Sequence, residues 1–147
     1  MAMNSTGITI FAIDTLEPVC VTHVKVNPKE THGERLHEQR EYIKKLIATY
    51  PPYEIAIERG YTFYNNATQI LYKAHGNLNE LFYKYPQTYY PPKTIKKVVG
   101  KSGNATKEKV QEEIQKRFSD VEFANDDESD SFAVAITMLV DKYDMKW

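Results

Sequence analysis

The sequence predicts a single mixed α/β domain over residues 1–147, in which a β-sheet is flanked by α-helices. Its 147 residues, 41% hydrophobic and 27% charged, are enough for one substantial core and have an ordinary globular composition. Short apolar runs alternate with longer stretches at helical spacing, which is the pattern of a sheet covered by helices. No apolar run reaches the roughly 20 residues of a membrane helix, so we expect no membrane span.

The N-terminal residues and the cysteine usage predict a cytoplasmic protein. Residues 1–7 lack the basic stretch and the apolar segment of a signal peptide. The single Cys20 has no second cysteine with which to form an internal disulfide, which is typical of a reducing compartment. Cys20 lies in an apolar stretch, and we interpret it as a packing residue.

The first half of the chain predicts two strands, a helix and a third strand. Residues 8–14 and 19–26 are apolar and extended, and residues 34–50 carry apolar side chains at helical spacing. Pro51-Pro52 ends that helix, and residues 53–58 form a short buried strand. A strand, a helix and a strand in this order favour a right-handed crossover, with residues 53–58 parallel to the first strand.

The second half predicts mainly helices. The predicted elements are a long helix at 67–85, a short strand at 88–90, and helices at 93–99, 105–118 and 131–143. Asn104 is the predicted N-cap of the helix at 105–118, because its side chain can accept a hydrogen bond from a free backbone N–H. The last helix is apolar and rich in small residues, so it can lie close to the sheet.

Acidic side chains follow two predicted strands and open the last helix. Asp14 follows the first strand and Glu58 ends the third. Because the carboxyl ends of neighbouring parallel strands meet at one edge, we expect these two side chains to lie close together. Asp127 and Asp130 are i, i+3 neighbours on one helical face. Burying several carboxylates together costs several kcal/mol unless cations offset it, so this pattern predicts a metal site.

Oxygen ligands without a set of His or Cys ligands favour Mg²⁺, with Mn²⁺ as a substitute. Two such ions about 4 Å apart would activate water and stabilise the leaving 3′ oxygen of a phosphodiester. The predicted reaction is phosphodiester hydrolysis that leaves a 5′ phosphate.

Each acid also has an ordinary structural interpretation. Asp14 can be a turn residue, and Glu58 can be an edge residue paired with Arg59. Acids in the first turn of a helix are stabilised by its dipole, so they need no catalytic role. Which of Asp126, Asp127 and Asp130 would contact metal stays open.

Charge is segregated along the chain, although the net charge is −1. Residues 59–109 carry nine basic and two acidic side chains, whereas residues 110–147 carry four basic and ten acidic ones. A basic region attracts phosphates and an acidic one concentrates metal, so the pattern favours a nucleic-acid partner over a merely solvated surface. Tyr61 is the best candidate for stacking on unpaired bases. The basic side chains that we expect near DNA are Arg59, Lys93, Lys96, Lys97, Lys101 and Lys107.

Four local patterns occur in a fixed order between residues 8 and 140. They are Ala12-Ile13-Asp14, then Ala56-Ile57-Glu58 before Arg59-Gly60-Tyr61, then residues 95–100 leading to Ala105-Thr106-Lys107, and finally the acid-x-x-acid pair Asp127 and Asp130 at the start of an Ala-rich helix. In order and spacing, this set resembles the RuvC family of Holliday-junction resolvases.

The resemblance implies an RNase H-like fold and a homodimer that acts on branched DNA with Mg²⁺. The long helix at 67–85 would form the dimer, and Tyr61 would match an aromatic side chain at the junction centre. Lys96 and Lys107 would match lysines close to the active site, and Lys107 would be a catalytic residue. The implied metal ligands, which are also the implied catalytic acids, are Asp14, Glu58, Asp127 and Asp130.

The sequence departs from the family pattern directly after Asp14, where Thr15-Leu16 replaces Pro-Gly. The stretch before the first helix is also short, which predicts a trimmed sheet edge. A compact, phage-type member of this kind would cut forks and flaps as well as four-way junctions. Two alternatives stay open: a ribonuclease acting on RNA–DNA hybrid or structured RNA with the same fold and acids, and a non-catalytic junction-binding module.

Overall fold

The structure, a computed structural model, describes residues 4–60 and 65–147. Its elements are β1 (Ser5–Ala12), β2 (Glu17–Lys25), α1 (His32–Thr49), β3 (Ile55–Glu58), α2 (Asn65–Leu81), β4 (Gln87–Tyr90), α3 (Pro92–Val99), α4 (Lys107–Arg117) and α5 (Asp126–Lys142). The predicted mixed α/β class is confirmed. In the described part of the chain, no helix is both long and apolar enough to cross a membrane.

The strands form two separate pairs. β1 and β2 are antiparallel, with Ser5 opposite Lys25 and an irregularity after Ile10. β3 and β4 are parallel, with Glu58 opposite Tyr90. Among the described residues no backbone ladder joins β1 to β3, so the prediction that residues 53–58 pair beside the first strand is wrong. The parallel partner of β3 comes later in the chain, after α2.

The β1–β2 turn explains why the first strand ends earlier than predicted. Leu16 adopts a positive φ of 56°, and its N–H donates to the Ala12 carbonyl at 2.9 Å. The carboxylate of Asp14 accepts a hydrogen bond from the Thr15 N–H at 2.9 Å. Asp side chains that bond to neighbouring backbone favour turns over strands. Asp14 therefore lies in the turn and not at the end of β1.

The helix starts follow local capping chemistry. The Thr106 side chain accepts from the Lys109 N–H, so α4 begins at Lys107 and the prediction of Asn104 as its cap is wrong. Asn125 caps α5 by accepting from the Glu128 N–H, so α5 begins five residues before the predicted start. Its first turn therefore contains the acidic side chains, where the helix dipole stabilises negative charge.

The strands lie between two helical layers. On one side, Phe132 of α5 is fully buried and makes edge-to-face ring contacts with Phe11, Phe118 and Phe123. That core also includes side chains of α3 and α4. On the other side, a smaller core joins α1, β3 and α2, and its buried residues are Ile43, Ile57, Leu78 and Phe82. This layered arrangement places the start of α5 against the strands.

Candidate active site

The first turn of α5 lies where β1 begins and β3 ends. The Ser5 hydroxyl donates to the Asp127 carboxylate, and the hydroxyl oxygens of Thr9 and Ser131 are 2.7 Å apart. These two contacts show that α5 runs beside β1 in the same direction. Glu58, the last residue of β3, lines the same cleft as Asp127 and Asp130. Three of the four predicted acids are therefore gathered at one end of the strands.

The protein environment disfavours negative charge on two of these acids. Burial raises the pKa of Glu58, and the Asp130 carboxylate raises it further. Burial also raises the pKa of Asp130, and the neighbouring charges of Asp126 and Asp127 act in the same direction. A cation stabilises the charged form of carboxyl groups whose pKa is raised by burial and by neighbouring negative charge.

Lysine side chains lie beside these acids. The Lys107 Nζ atom is 3.6 Å from an oxygen of Asp126 and 3.6 Å from an oxygen of Asp130. The Asp130 charge raises the pKa of Lys107, and Lys107 in turn opposes the rise in the pKa of Asp130. Lys96 of α3 is also near enough to oppose the rise in the pKa of Glu58. The lysines therefore lie where they can contact a bound phosphate.

Asp14 does not lie near the other predicted acids. It is exposed in the β1–β2 turn, at the opposite end of β1 from Ser5. An eight-residue strand spans about 23 Å at 3.3 Å per residue. The sequence argument required β1 and β3 to end at the same edge, but β1 begins where β3 ends. The expected convergence of Asp14 with Glu58 is therefore absent from the described structure.

The remaining acids have the chemistry of a site for a hard divalent cation, because they are carboxylates on rigid elements. Across residues 4–60 and 65–147, however, no three His, Cys, Asp or Glu side chains are close enough to form a metal-binding group. The ligand type therefore suits a hard cation at Glu58, Asp127 and Asp130. The described residues do not, however, bring together all four acids that the sequence predicted.

The predicted DNA-contacting residues lie on accessible surface where they are described. Lys93, Lys96 and Lys97 are exposed on α3, and Arg59 is exposed next to Glu58. Lys101, in the following loop, is also exposed, and its Nζ atom lies 5.5 Å from the centroid of the Trp147 ring. Tyr61 lies outside the described residues.

Sequence reasoning missed a hydrogen-bonded contact behind the acids. Glu128 is 6% exposed, and one of its carboxylate oxygens lies 2.8 Å from Nδ1 of His23 on β2. The other oxygen accepts a hydrogen bond from the Ala124 N–H. This contact fixes the first turn of α5 against the hairpin. Nothing local identifies the pair, because His23 and Glu128 are 105 positions apart.

These features define a class of protein: an α/β fold with acids at a helix start and lysines beside them. A family model described as "Crossover junction endodeoxyribonuclease RuvC" matches residues 3–138. The chain belongs to this family, which consists of metal-dependent nucleases, and the predicted RuvC resemblance is confirmed.

Individual relatives cover most of the chain. The protein of the same name from Rickettsia conorii (strain ATCC VR-613 / Malish 7) is 30% identical over 147 aligned residues, which cover 96% of this chain and 94% of the relative. A protein of that name from Prochlorococcus marinus is 30% identical over 119 residues, covering 79% of this chain and 77% of the relative.

A solved structure gives the same result for the fold. The chain is similar to T. thermophilus RuvC in complex with a Holliday junction substrate, with a TM-score of 0.79 and 19% sequence identity. The match covers 92% of this chain and 87% of that structure. The predicted RNase H-like fold is therefore confirmed.

Proposed function

We propose that this protein is an endonuclease that resolves Holliday junctions, and cuts other branched DNA, by hydrolysing a phosphodiester bond. The observation that carries the proposal is the family match over residues 3–138. The placement of Glu58, Asp127 and Asp130 in one cleft beside Lys107 supports it, because phosphodiester hydrolysis needs acids to hold metal and cations to hold phosphate. As a DNA-acting enzyme, it is assigned to the cytoplasm.

Each group in the site has a distinct role in this reaction. Glu58, Asp127 and Asp130 are the proposed ligands of Mg²⁺, for which Mn²⁺ can substitute. When bound, the metal supplies charge stabilisation and an activated water. Lys107 approaches the scissile phosphate and neutralises charge that accumulates on its oxygens. Glu128, held by His23, keeps the first turn of α5 in place.

The DNA approaches along the basic surface next to the acids. Exposed Lys93, Lys96 and Lys97 on α3, with Lys101 and Arg59, attract phosphates without reading sequence. Tyr61 remains the proposed stacking residue at the junction centre. Two active sites are needed to nick both strands of a four-way junction, so we propose a homodimer formed through α2, on which Tyr72 is 65% exposed.

A panel of labelled substrates tests the proposal. The full chain is incubated with a four-way junction, a fork, a flap, an RNA–DNA hybrid and a hairpin RNA, with Mg²⁺, Mn²⁺ or EDTA. We expect paired symmetric nicks in the junction and no cutting in EDTA. Faster cutting of the hybrid would favour the ribonuclease. Junction binding without cutting of any substrate in either metal would favour the binding module.

Substituting Lys107 should affect cutting more than binding. We expect Lys107→Ala to slow single-turnover junction cleavage about tenfold or more, which corresponds to about 1.4 kcal/mol of lost transition-state stabilisation. Junction affinity, measured by gel shift, should change less than about threefold. Lys109→Ala is the matched control, because Lys109 pairs with Glu113 and not with the site acids. Equal cleavage rates for Lys107→Ala and the unsubstituted protein would contradict the role.

Asp14→Asn should leave junction cleavage unchanged within about twofold, because Asp14 lies in the turn at the far end of β1. This expectation reverses the one drawn from the sequence alone, which made Asp14 a metal ligand. Single-turnover cleavage at saturating protein measures it. A loss of cleavage rate as large as that expected for Asp130→Asn would contradict this prediction and would assign Asp14 to the active site.

A further inference from the structure

The Trp147 ring lies against the ends of α3 and α4. Its indole N–H donates to the carbonyl of Val99, the last residue of α3, at 3.0 Å. The ring stacks on Phe118, the C-cap residue of α4, with the two centroids 6.4 Å apart and the ring planes at 20°. The indole therefore satisfies a carbonyl at a helix C-terminus, and these contacts give the ring a fixed position.

Two cationic side chains meet at this ring. The Lys101 Nζ atom lies 5.5 Å from the ring centroid, and the Arg117 guanidinium carbon lies 5.6 Å from it. Both distances are within the range of cation–π attraction, which offsets the repulsion between the two positive charges. The Arg117 guanidinium also donates a hydrogen bond to the Lys146 carbonyl. Trp147, Lys101 and Arg117 together form the tryptophan patch.

The two cations of the tryptophan patch lack anionic partners. Both side chains are exposed, and within residues 4–60 and 65–147 neither forms an ion pair. Lys116, one residue before Arg117, pairs instead with Glu112 and Glu113. Lys101 also adopts a positive φ of 68°, which costs energy for any residue except glycine. Unpaired charge held in a strained backbone favours a site that binds an anion.

The patch is continuous with the basic surface of α3 but lies away from the acids. A Cβ atom at Gly103 would lie 3.2 Å from Cγ of Lys93, so the loop that carries Lys101 packs against α3. α4 begins at Lys107, beside the acids, and ends at Arg117. Ten helical steps separate these two residues by about 15 Å, which is the length of about four base-pair steps of DNA.

We propose that the tryptophan patch binds backbone phosphates of a duplex DNA arm, about four base-pair steps from the phosphate beside Lys107. Lys101 and Arg117 contact the phosphates, and Trp147 is a positioning residue that holds both cations in place. The nature of the ligand rests on the proposed function, whereas the contact itself does not depend on cleavage. Phosphate contacts carry no sequence information, so the patch binds duplexes of any sequence.

The salt dependence of DNA binding tests the phosphate contacts. The affinity of the full chain for a four-way junction and for a linear duplex is measured in EDTA, between about 50 and 200 mM salt. We expect Lys101→Ala and Arg117→Ala each to lower the slope of log affinity against log salt by about one, on both DNAs, because each lost contact releases about one fewer counterion.

Lys116→Ala is the matched control, because it removes a neighbouring charge that is already paired with acids. Its slope should equal that of the unsubstituted protein. An unchanged slope in Lys101→Ala or Arg117→Ala would overturn the contact assigned to that residue. A change seen with the junction and not with the linear duplex would overturn the assignment to a duplex arm.

A double-mutant cycle tests the role of Trp147. We expect Trp147→Leu to weaken junction binding about threefold at the lowest salt, because the two cations must then be ordered when DNA binds. In a protein that already carries Lys101→Ala and Arg117→Ala, the same substitution should leave affinity unchanged. Trp147→Phe keeps an aromatic face for the cations and should restore at least half of the lost affinity. An equal loss in both backgrounds would make Trp147 a structural residue and overturn its positioning role.

Measuring binding without metal separates this proposal from the proposed function. A protein that cuts no substrate but shows the expected slopes would retain the patch and reject the nuclease. Junction cleavage by the unsubstituted protein, with slopes that neither Lys101→Ala nor Arg117→Ala alters, would retain the nuclease and reject the patch. The two failures are therefore distinguishable.

Discussion

Asp130→Asn is expected to lower the rate of junction cleavage by about 10³-fold or more while junction affinity stays within about threefold. The substitution keeps the size of the side chain and removes its charge. Asp130 lines the same cleft as Glu58 and Asp127, and one of its carboxylate oxygens lies 3.6 Å from the Lys107 Nζ atom. Loss of several kcal/mol of metal-borne charge stabilisation corresponds to this fold-change.

The experiment separates chemistry from binding and folding. Single-turnover cleavage of a labelled four-way junction is measured in Mg²⁺ at saturating protein, and affinity is measured in EDTA. Asp120→Asn is the control, because Asp120 is exposed in the loop after α4. Thermal unfolding of both variants shows whether the fold is retained. A folded Asp130→Asn protein that cuts within tenfold of the unsubstituted rate would reject Asp130 as a catalytic acid.

Local signals predicted the helices and strands well, because they depend on nearby residues. The strand at 88–90 is found as β4, and the helix predicted at 93–99 is found as α3. The errors at helix starts came from competition between neighbouring caps. The N-cap of α4 is Thr106 and not Asn104, because the Thr106 hydroxyl accepts a hydrogen bond from the Lys109 N–H. Such choices depend on side-chain geometry that residue type alone does not specify.

The errors in the site came from long-range pairing. Glu58, Asp127 and Asp130 line one cleft, and their role as metal ligands stays a prediction. The placement of Asp14 assumed that β1 lies beside β3 in the same direction. Strand direction is set by contacts between distant residues, such as Ser5 with Asp127. The His23–Glu128 contact was missed for the same reason.

Gly7→Ala should destabilise the fold by about 3 kcal/mol, at the upper end of overpacking effects, and should also reduce cleavage. A Cβ atom at Gly7 would lie 1.8 Å from the Asp127 carbonyl oxygen and 2.3 Å from its carbonyl carbon. These atoms belong to the backbone of the first turn of α5, so no side-chain rotation can relieve the overlap. Either β1 or the start of α5 must move, and both hold the acid cluster in place.

Gly76→Ala provides the matched control for this prediction. A Cβ atom at Gly76 in α2 meets nothing within 4 Å. Alanine in an exposed helix interior is favoured over glycine by about 0.5–1 kcal/mol, so this variant should be as stable as the unsubstituted protein or slightly more stable. Urea denaturation gives both free energies of unfolding. The same chemical change is made at both positions. A difference near zero between the free energies of unfolding of the two variants would therefore show that β1 does not lie against the first turn of α5.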